Sequence, residues 1–264
     1  MRTHTSVRRA LGRCDLLEPA ERTLFRRPAA FPDGCTLEAA EAVCDPEHDL
    51  GLDLLDGVSS LLDKSLLQQR DGRNGEPRFG ILQTIRDYAL DRLAESGEEE
   101  ALRQQQTLFY LALARRAERA VEYERLLMEL DNLCAVLAWC AERHELGLGA
   151  RLAWALSRFF FERGLMHDMA EWADRLLALP DAAAPSISRA RLLAMAGDAA
   201  SSEDVQRHAR CRRWALAGTL AAQVALPDLA RLAPLADVVQ RLGPGMIAEK
   251  AEQHADERAG GVTW

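Results

Sequence analysis

Apolar residues recur with helical spacing along most of the chain. Val7, Ala10, Leu11 and Cys14 fall at i, i+3, i+4 and i+7, which predicts a helix from Val7 to Leu17. Glu18-Pro19-Ala20-Glu21 reads as the start of another, with Pro near the first turn and acids near the positive end of the dipole. Leu24 and Phe25 continue it until Pro28 interrupts it, and Phe31-Pro32-Asp33-Gly34 is a turn. Thr36 then caps a short helix with Leu37, Ala40 and Val43 inward, ended by Asp45-Pro46. The spacing of Leu50, Leu54, Leu55, Val58, Leu61 and Leu62 predicts a helix from about Asp49 to Lys64. The pattern now changes. Leu66 to Gln69 and Arg78 to Leu82 read as two short strands around Asp71-Gly72 and Asn74-Gly75, two hairpin-turn dipeptides. A helix from Thr84 to about Ser96 follows, with Ile85, Tyr88, Ala89 and Leu93 inward and Gly97 as its stop. Short helices followed by a two-stranded wing are the winged-helix plan.

From Glu98 onward the pattern is helix after helix. Leu102, Leu108, Phe109, Leu111 and Ala112 mark one. Arg125 to about Arg143 is a second, with Leu126, Leu130, Leu133, Val136, Leu137 and Cys140 inward. A third carries Leu148, Leu152, Leu156, Phe159 and Phe160 and breaks at Gly164. A fourth carries Met169, Trp172, Leu176 and Leu177 and stops at Pro180. Pro185 opens a fifth with Ala190, Leu193 and Ala194. A sixth covers about Ser202 to Val224, apolar spacing persists from Asp228 to Gln240, and the chain becomes polar from Gly243. The helical pairs restart near 148 and 186, a step compatible with tetratricopeptide-like hairpins, although the full repeat consensus is absent. The expected fold is therefore mainly α: a winged-helix domain over residues 1–97, a tetratricopeptide-like array over 98–242 and a C-terminal helix or tail over 243–264.

Composition agrees with a helical chain. Its 264 residues include 44 Ala and 31 Arg against 2 Lys, and 48% are hydrophobic. The formal net charge of −8 argues against coating nucleic acid through bulk charge. The first 27 residues depart from that balance, with seven Arg against Asp15, Glu18 and Glu21. No apolar run is long enough for a membrane helix, and no signal-peptide pattern opens the chain, so a cytoplasmic protein is expected. Six irregularly spaced Cys without a Cys-x-x-Cys pair read as reduced, buried thiols.

Candidate chemistry is sparse. Lys64-Ser65 resembles the end of a phosphate loop, but Asp63 precedes it and Val58 stands where the first Gly should be. Gly243-Pro244-Gly245 is too short for a dinucleotide fingerprint. There is no His-Glu-x-x-His and no Gly-x-Ser-x-Gly. The expectation is a non-enzyme with no catalytic residue, metal site or cofactor.

The strings ERTLFRR, GCTLEAAEAVC, LDGVSSLLDKSLL and RFGILQTIRDYALDRLAESGE, followed by ELDNLCAVLAW, resemble a known family. It is the winged-helix segment, with the opening of the helical repeats, that follows the nucleotide-binding module in bacterial STAND-type signalling ATPases. Large transcriptional activators of the LuxR and antibiotic-regulator kinds belong to it. The resemblance covers roughly residues 7–180. It implies that the winged helix packs against a nucleotide-binding module and is not the DNA reader, and that the nucleotide- and DNA-binding modules lie outside this sequence. Many relatives carry a Met-His-Asp string that senses bound nucleotide. The matching positions here are Ile81, Leu82 and Gln83, without imidazole or carboxylate, so no nucleotide contact is expected from them.

Three functions follow from these readings. The first is a non-catalytic regulatory and protein-interaction module of a transcriptional regulator, a truncated or diverged relative. Its partner would be a protein or the neighbouring nucleotide-binding module. The candidate interaction surface is Arg8, Arg9, Arg26 and Arg27, with Arg158 and Arg163 beside a groove of the helical array. For Arg158, Arg163 and Trp172 the plainer alternative is a solvated face and core, and the same holds for the basic string His208 to Arg213. The second is a stand-alone DNA-binding winged helix, in which the helix 49–64 enters the major groove. Asp49, Asp53, Asp56 and Asp63 against Lys64 make that docking electrostatically poor, so DNA binding is not expected. The third, an ATPase, has no phosphate loop to support it.

Overall fold

The computed structural model describes residue 14 and residues 16–199, apart from 49, 73 and 122. The helix expected from Val7, the arginines Arg8 and Arg9, the string His208 to Arg213 and every element expected beyond residue 200 lie outside the described residues. The chain forms two compact units, Met1–Trp139 and Cys140–Trp264. The division falls well beyond Gly97, where the winged helix ends.

The described part of the first unit includes α1, Pro19–Arg26. Its start is held by a reciprocal cap in which the Glu18 side chain meets the N3 backbone and Glu21 accepts from the Glu18 N–H at 3.1 Å. Pro28, with no N–H to donate, turns the chain into a 3-10 turn, Arg27–Ala30. Helix α2, Leu37–Cys44, is capped by Thr36, whose hydroxyl accepts from the Ala39 N–H at 3.2 Å. Helix α3 runs over Leu54–Asp63, starting later than its apolar spacing predicts. Asp53 supplies the cap by accepting from the Asp56 N–H at 3.1 Å, and Gly51 just before it sits at a φ of 72°. Leu50 is buried from the loop, its N–H bonded to Asp45, while Leu55, expected inward, is 55% exposed. The inward side of α3 is Gly57, Val58 and Leu61.

Strands β1, Leu67–Asp71, and β2, Pro77–Ile81, form the antiparallel wing in a register from Leu67↔Ile81 to Asp71↔Pro77. Cys35 adds an isolated antiparallel bridge to Phe79, so the turn before α2 lies along the sheet edge. Leu66 and Leu82, predicted as strand residues, fall just outside. Helix α4, Gln83–Ser96, ends where Gly97 adopts a φ of 75°. Leu24, Phe25, Val58, Leu61, Leu66, Ile85 and Ala89 form the core of this winged helix.

Helix α5, Glu99–Ala120, packs back on the winged helix. Its inward side differs in part from the predicted one: Leu102 and Leu111 are buried as expected, together with Gln106, Tyr110 and Leu113, whereas Leu108 is 44% exposed and Ala112 faces solvent. The backbone carbonyl of Ala30 explains the polar member, because Gln106 Nε2 donates to it at 3.3 Å and Arg103 Nη1 at 2.8 Å. The single helix expected from Arg125 is two, α6 (Glu124–Met128) and α7 (Leu130–Glu142). The break sits at Glu129, and it is Glu129 and Asn132 that turn inward while Leu130 is half-buried.

The described part of the second unit holds α8 (Leu146–Glu162), α9 (Met166–Leu177), a 3-10 turn (Pro180–Ala183) and α10 (Ile187–Ala199), and the three α-helices pack on one another. Leu152, Leu156, Phe159, Phe160, Met169, Trp172 and Leu176 are buried, as the periodicity predicts. Gly149 lets the side chain of Leu176 come close; a Cβ there would lie 2.9 Å from its Cδ2. Among the described residues no helix is long and apolar enough to cross a membrane.

Candidate functional site

A winged helix that reads DNA presents its third helix and its wing. On α3 the outward residues are Asp53, Leu55, Asp56, Ser59 and Asp63. The Ser59 hydroxyl donates to the Leu55 carbonyl at 2.8 Å, inside its own helix. Lys64, at the helix end, folds back onto Glu21, with its Nζ also 2.9 Å from the Ser60 hydroxyl. The outer face of α3 is thus acidic, and phosphate would be repelled from it.

The Lys64 hydrogen bond, followed by that from Ser60, holds the Glu21 carboxyl at about 2. A folded-state pKa below the unfolded value of about 4.3 contributes stability that is present above that value and lost as pH falls toward 2. Acid titration of unfolding is expected to show this loss between about pH 4 and 2, and a Glu21→Gln variant should show a shallower slope across it. An unchanged slope would show that Glu21 gains nothing from Lys64.

The wing is engaged inward near its hairpin turn. Arg78 of β2 forms a two-pronged ion pair with Glu129, from Nη1 to Oε1 and from Nη2 to Oε2 at 3.2 Å. Arg78 Nη2 also donates to the Gly34 carbonyl at 2.9 Å, and Asp33 lies 3.8 Å away. Glu129 Oε2 accepts from the Tyr110 hydroxyl at 2.8 Å and from Asn132 Nδ2 at 2.7 Å. Asn132 closes the ring by donating to the Gly34 carbonyl at 2.9 Å and accepting from the Asp33 N–H at 3.3 Å. Side-chain exposure is 11% at Arg78 and 5% at Glu129, and Tyr110 and Asn132 are fully buried. Burial works against the Arg78 cation, but the hydrogen bond and charge of Glu129 outweigh it and its pKa is raised. Burial, with the Glu129 charge adding to it, pushes the Tyr110 hydroxyl up and the Cys35 thiol up to about 12. These groups stay protonated, so the cluster is one anion, one cation and neutral donors. It is suited to holding parts together and supplies no poised base or nucleophile.

The candidate arginines are placed differently from one another. Arg26 and Arg27, expected on an interaction surface, are 17% and 15% exposed and both reach Glu98 just after Gly97. Arg26 makes the better pair, with Nη2 to Oε1 at 2.7 Å and Nε to Oε2 at 2.9 Å, and Arg27 also donates to the Cys44 carbonyl. Burial raises the Glu98 pKa less than the two guanidinium groups lower it, so its carboxyl stays charged. These arginines fasten α1 and the 3-10 turn after it to the start of α5 and do not form an open basic face. Arg158 is exposed and lies 3.7 Å from Glu162 one turn on, and Arg163 is exposed at the end of α8. Exposed pairs of that kind contribute little. Trp172 is core, with the Arg175 guanidinium 4.4 Å from its ring centre. Ile81 is buried at the end of β2, Leu82 caps α4 and Gln83 is exposed on its first turn.

Sequence reasoning missed the Arg78–Glu129–Tyr110–Asn132 cluster because its members are distant in the chain. One signal was present: Glu129 and Asn132, at i and i+3, share a face and interrupt the apolar stripe of the helix predicted there.

Residues 17–94 match the winged helix-turn-helix domain family. The chain is homologous to a protein of Mycobacterium tuberculosis (strain H37Rv) whose name is "Putative HTH-type transcriptional regulator": 33% identity over 168 residues, 61% of this chain and 19% of that protein. A Mycobacterium bovis protein of the same name shows the same figures. An M. tuberculosis (strain H37Rv) protein named only as uncharacterized is 36% identical over 88 residues, 33% of this chain and 22% of its own length. The chain thus spans about a fifth of the length of these relatives. No solved structure matches it.

Proposed function

We propose that this chain is a non-catalytic regulatory and protein-interaction module of a bacterial transcriptional regulator of the STAND kind, acting in the cytoplasm. Its winged helix serves as a packing unit for a neighbouring module rather than as a DNA reader, and its later helices act as a tetratricopeptide-like partner platform. The observation that carries this reading is the state of the two DNA-facing parts. The outer side of α3 bears Asp53, Asp56 and Asp63, and of the wing's arginines Arg78 is turned inward onto Glu129, which leaves Arg70 exposed. A reading helix needs donors aimed at base edges and cations aimed at phosphates, and α3 offers neither. The relatives named as regulators extend far beyond the matched region, which leaves room for a DNA-binding module elsewhere in them.

An electrophoretic mobility shift with random duplex DNA at low salt tests this. No micromolar binding is expected. Binding that weakens steeply with salt, and weakens further on Arg8→Ala and Arg9→Ala, would favour a stand-alone DNA-binding winged helix instead.

A further inference from the structure

Away from the wing, a cavity of about 270 Å³ opens between α1 and α4. Helix α1 contributes Arg22, Phe25 and Arg26, and α4 contributes Tyr88 and Arg92, with Leu17 beside them. Arg22 and Arg26 are four residues apart on one helix, as are Tyr88 and Arg92 on the other, so each pair stands on one face of its helix. Three guanidinium groups thus converge on one space, and among the described residues no carboxylate lines it. The carboxylate partners of Arg26 and Arg92, Glu98 and Glu95, lie outside that lining, whereas the carbonyl that Arg22 uses belongs to Leu17, within it. Arg22 Nε donates to the Leu17 carbonyl at 2.8 Å, Arg26 uses Nε and Nη2 on Glu98, and Arg92 uses Nη2 on Glu95 at 2.7 Å. A guanidinium carries five N–H donors in a fixed fork. Arg26 therefore keeps Nη1, and Arg92 keeps Nε and Nη1, beyond these bonds. Arg92 also lies over the Tyr88 ring, 5.1 Å from its centre, which orders its guanidinium plane.

We propose that this cavity is a binding site for a small multivalent oxyanion, a phosphorylated or polycarboxylated metabolite held by Arg22, Arg26 and Arg92. Arginine forks match the paired oxygens of phosphate and carboxylate, and the apolar wall of Leu17 and Phe25 lowers the local dielectric around them. The volume is near the lower end for ligand pockets, which selects a small ligand rather than a nucleotide. The proposal is independent of whether α3 binds DNA.

Isothermal titration of the full chain with inorganic phosphate and, separately, citrate at constant ionic strength tests it. Saturable binding of at least one probe is expected, weakened about tenfold by Arg92→Gln, the weight of one charge-assisted hydrogen bond. An Arg22→Gln variant should weaken it similarly, and Arg70→Gln, an exposed residue of the wing, should leave it unchanged. Preference for phosphate or for citrate would identify which oxyanion the site takes. Arg92 is 47% exposed, so its variant should fold even if Arg22→Gln does not. No saturable binding of either probe, or equal binding by wild type and Arg92→Gln, would overturn the proposal.

Discussion

Replacing Glu129 with alanine should lower the unfolding free energy of the first unit by about 3–5 kcal/mol, the usual cost of removing one partner from a buried ion pair. The change removes the acceptor of three side chains together. Arg78 is left as a buried cation, and Tyr110 and Asn132 lose their shared acceptor. Because that loss is mainly the cost of the stranded charge, an Arg78→Met, Glu129→Met double variant should recover a large part of it. Denaturant unfolding of the two variants beside wild type measures both quantities. A loss below about 1 kcal/mol for Glu129→Ala would place the pair in the class of exposed ion pairs and remove it as the anchor of the wing.

A second large effect is expected at Gly34. Its φ is 71°, in the left-handed region, and a Cβ there would lie 2.6 Å from the Phe79 carbonyl oxygen. That oxygen cannot retreat easily, because it accepts from the Cys35 N–H at 2.8 Å while the Phe79 N–H returns a bond to Cys35 at 2.8 Å. Gly34→Val therefore combines backbone strain with a clash against fixed main chain, and a loss of about 3 kcal/mol or more should follow. Gly75 in the hairpin turn has a similar φ of 78° but nothing within 4 Å of the Cβ position. Gly75→Ala should lose only about 1 kcal/mol, the strain alone. Thermal unfolding of the two variants side by side separates clash from strain; equal losses would show that the Phe79 contact contributes nothing.

The winged helix was largely legible in the sequence because its signals are local. Pro19 and Thr36 begin helices, Gly97 ends one, and the Asp-Gly and Asn-Gly dipeptides mark the turn of the wing. The start of α3 was misplaced because Leu50 keeps helical spacing with Leu54 while being buried from a loop, and burial alone does not distinguish the two. Leu108 and Ala112 were misassigned for a related reason. Helix α5 directs Gln106 inward to the Ala30 carbonyl of the winged helix and Tyr110 inward to Glu129, and hydrophobicity cannot signal a polar residue that is needed inside. The site was the least legible part. Arg26 and Arg27 are basic in a basic stretch, yet their role is fixed by Glu98, more than seventy residues away. Arg78 and Glu129 meet across fifty-one residues, and no local rule carries that pairing.

The carbonyl of Ala30 bears on how the protein can be divided for experiment. It lies in the 3-10 turn of the winged helix, yet its donors, Arg103 and Gln106, both come from α5. A recombinant fragment cut at Gly97, just after the family match ends at residue 94, would strip that acceptor of both donors and bare Ala30 and Phe31, which are buried in the whole chain. Fragment boundaries for crystallisation or NMR should therefore follow compactness rather than family limits, and run at least to the end of α7 at Glu142.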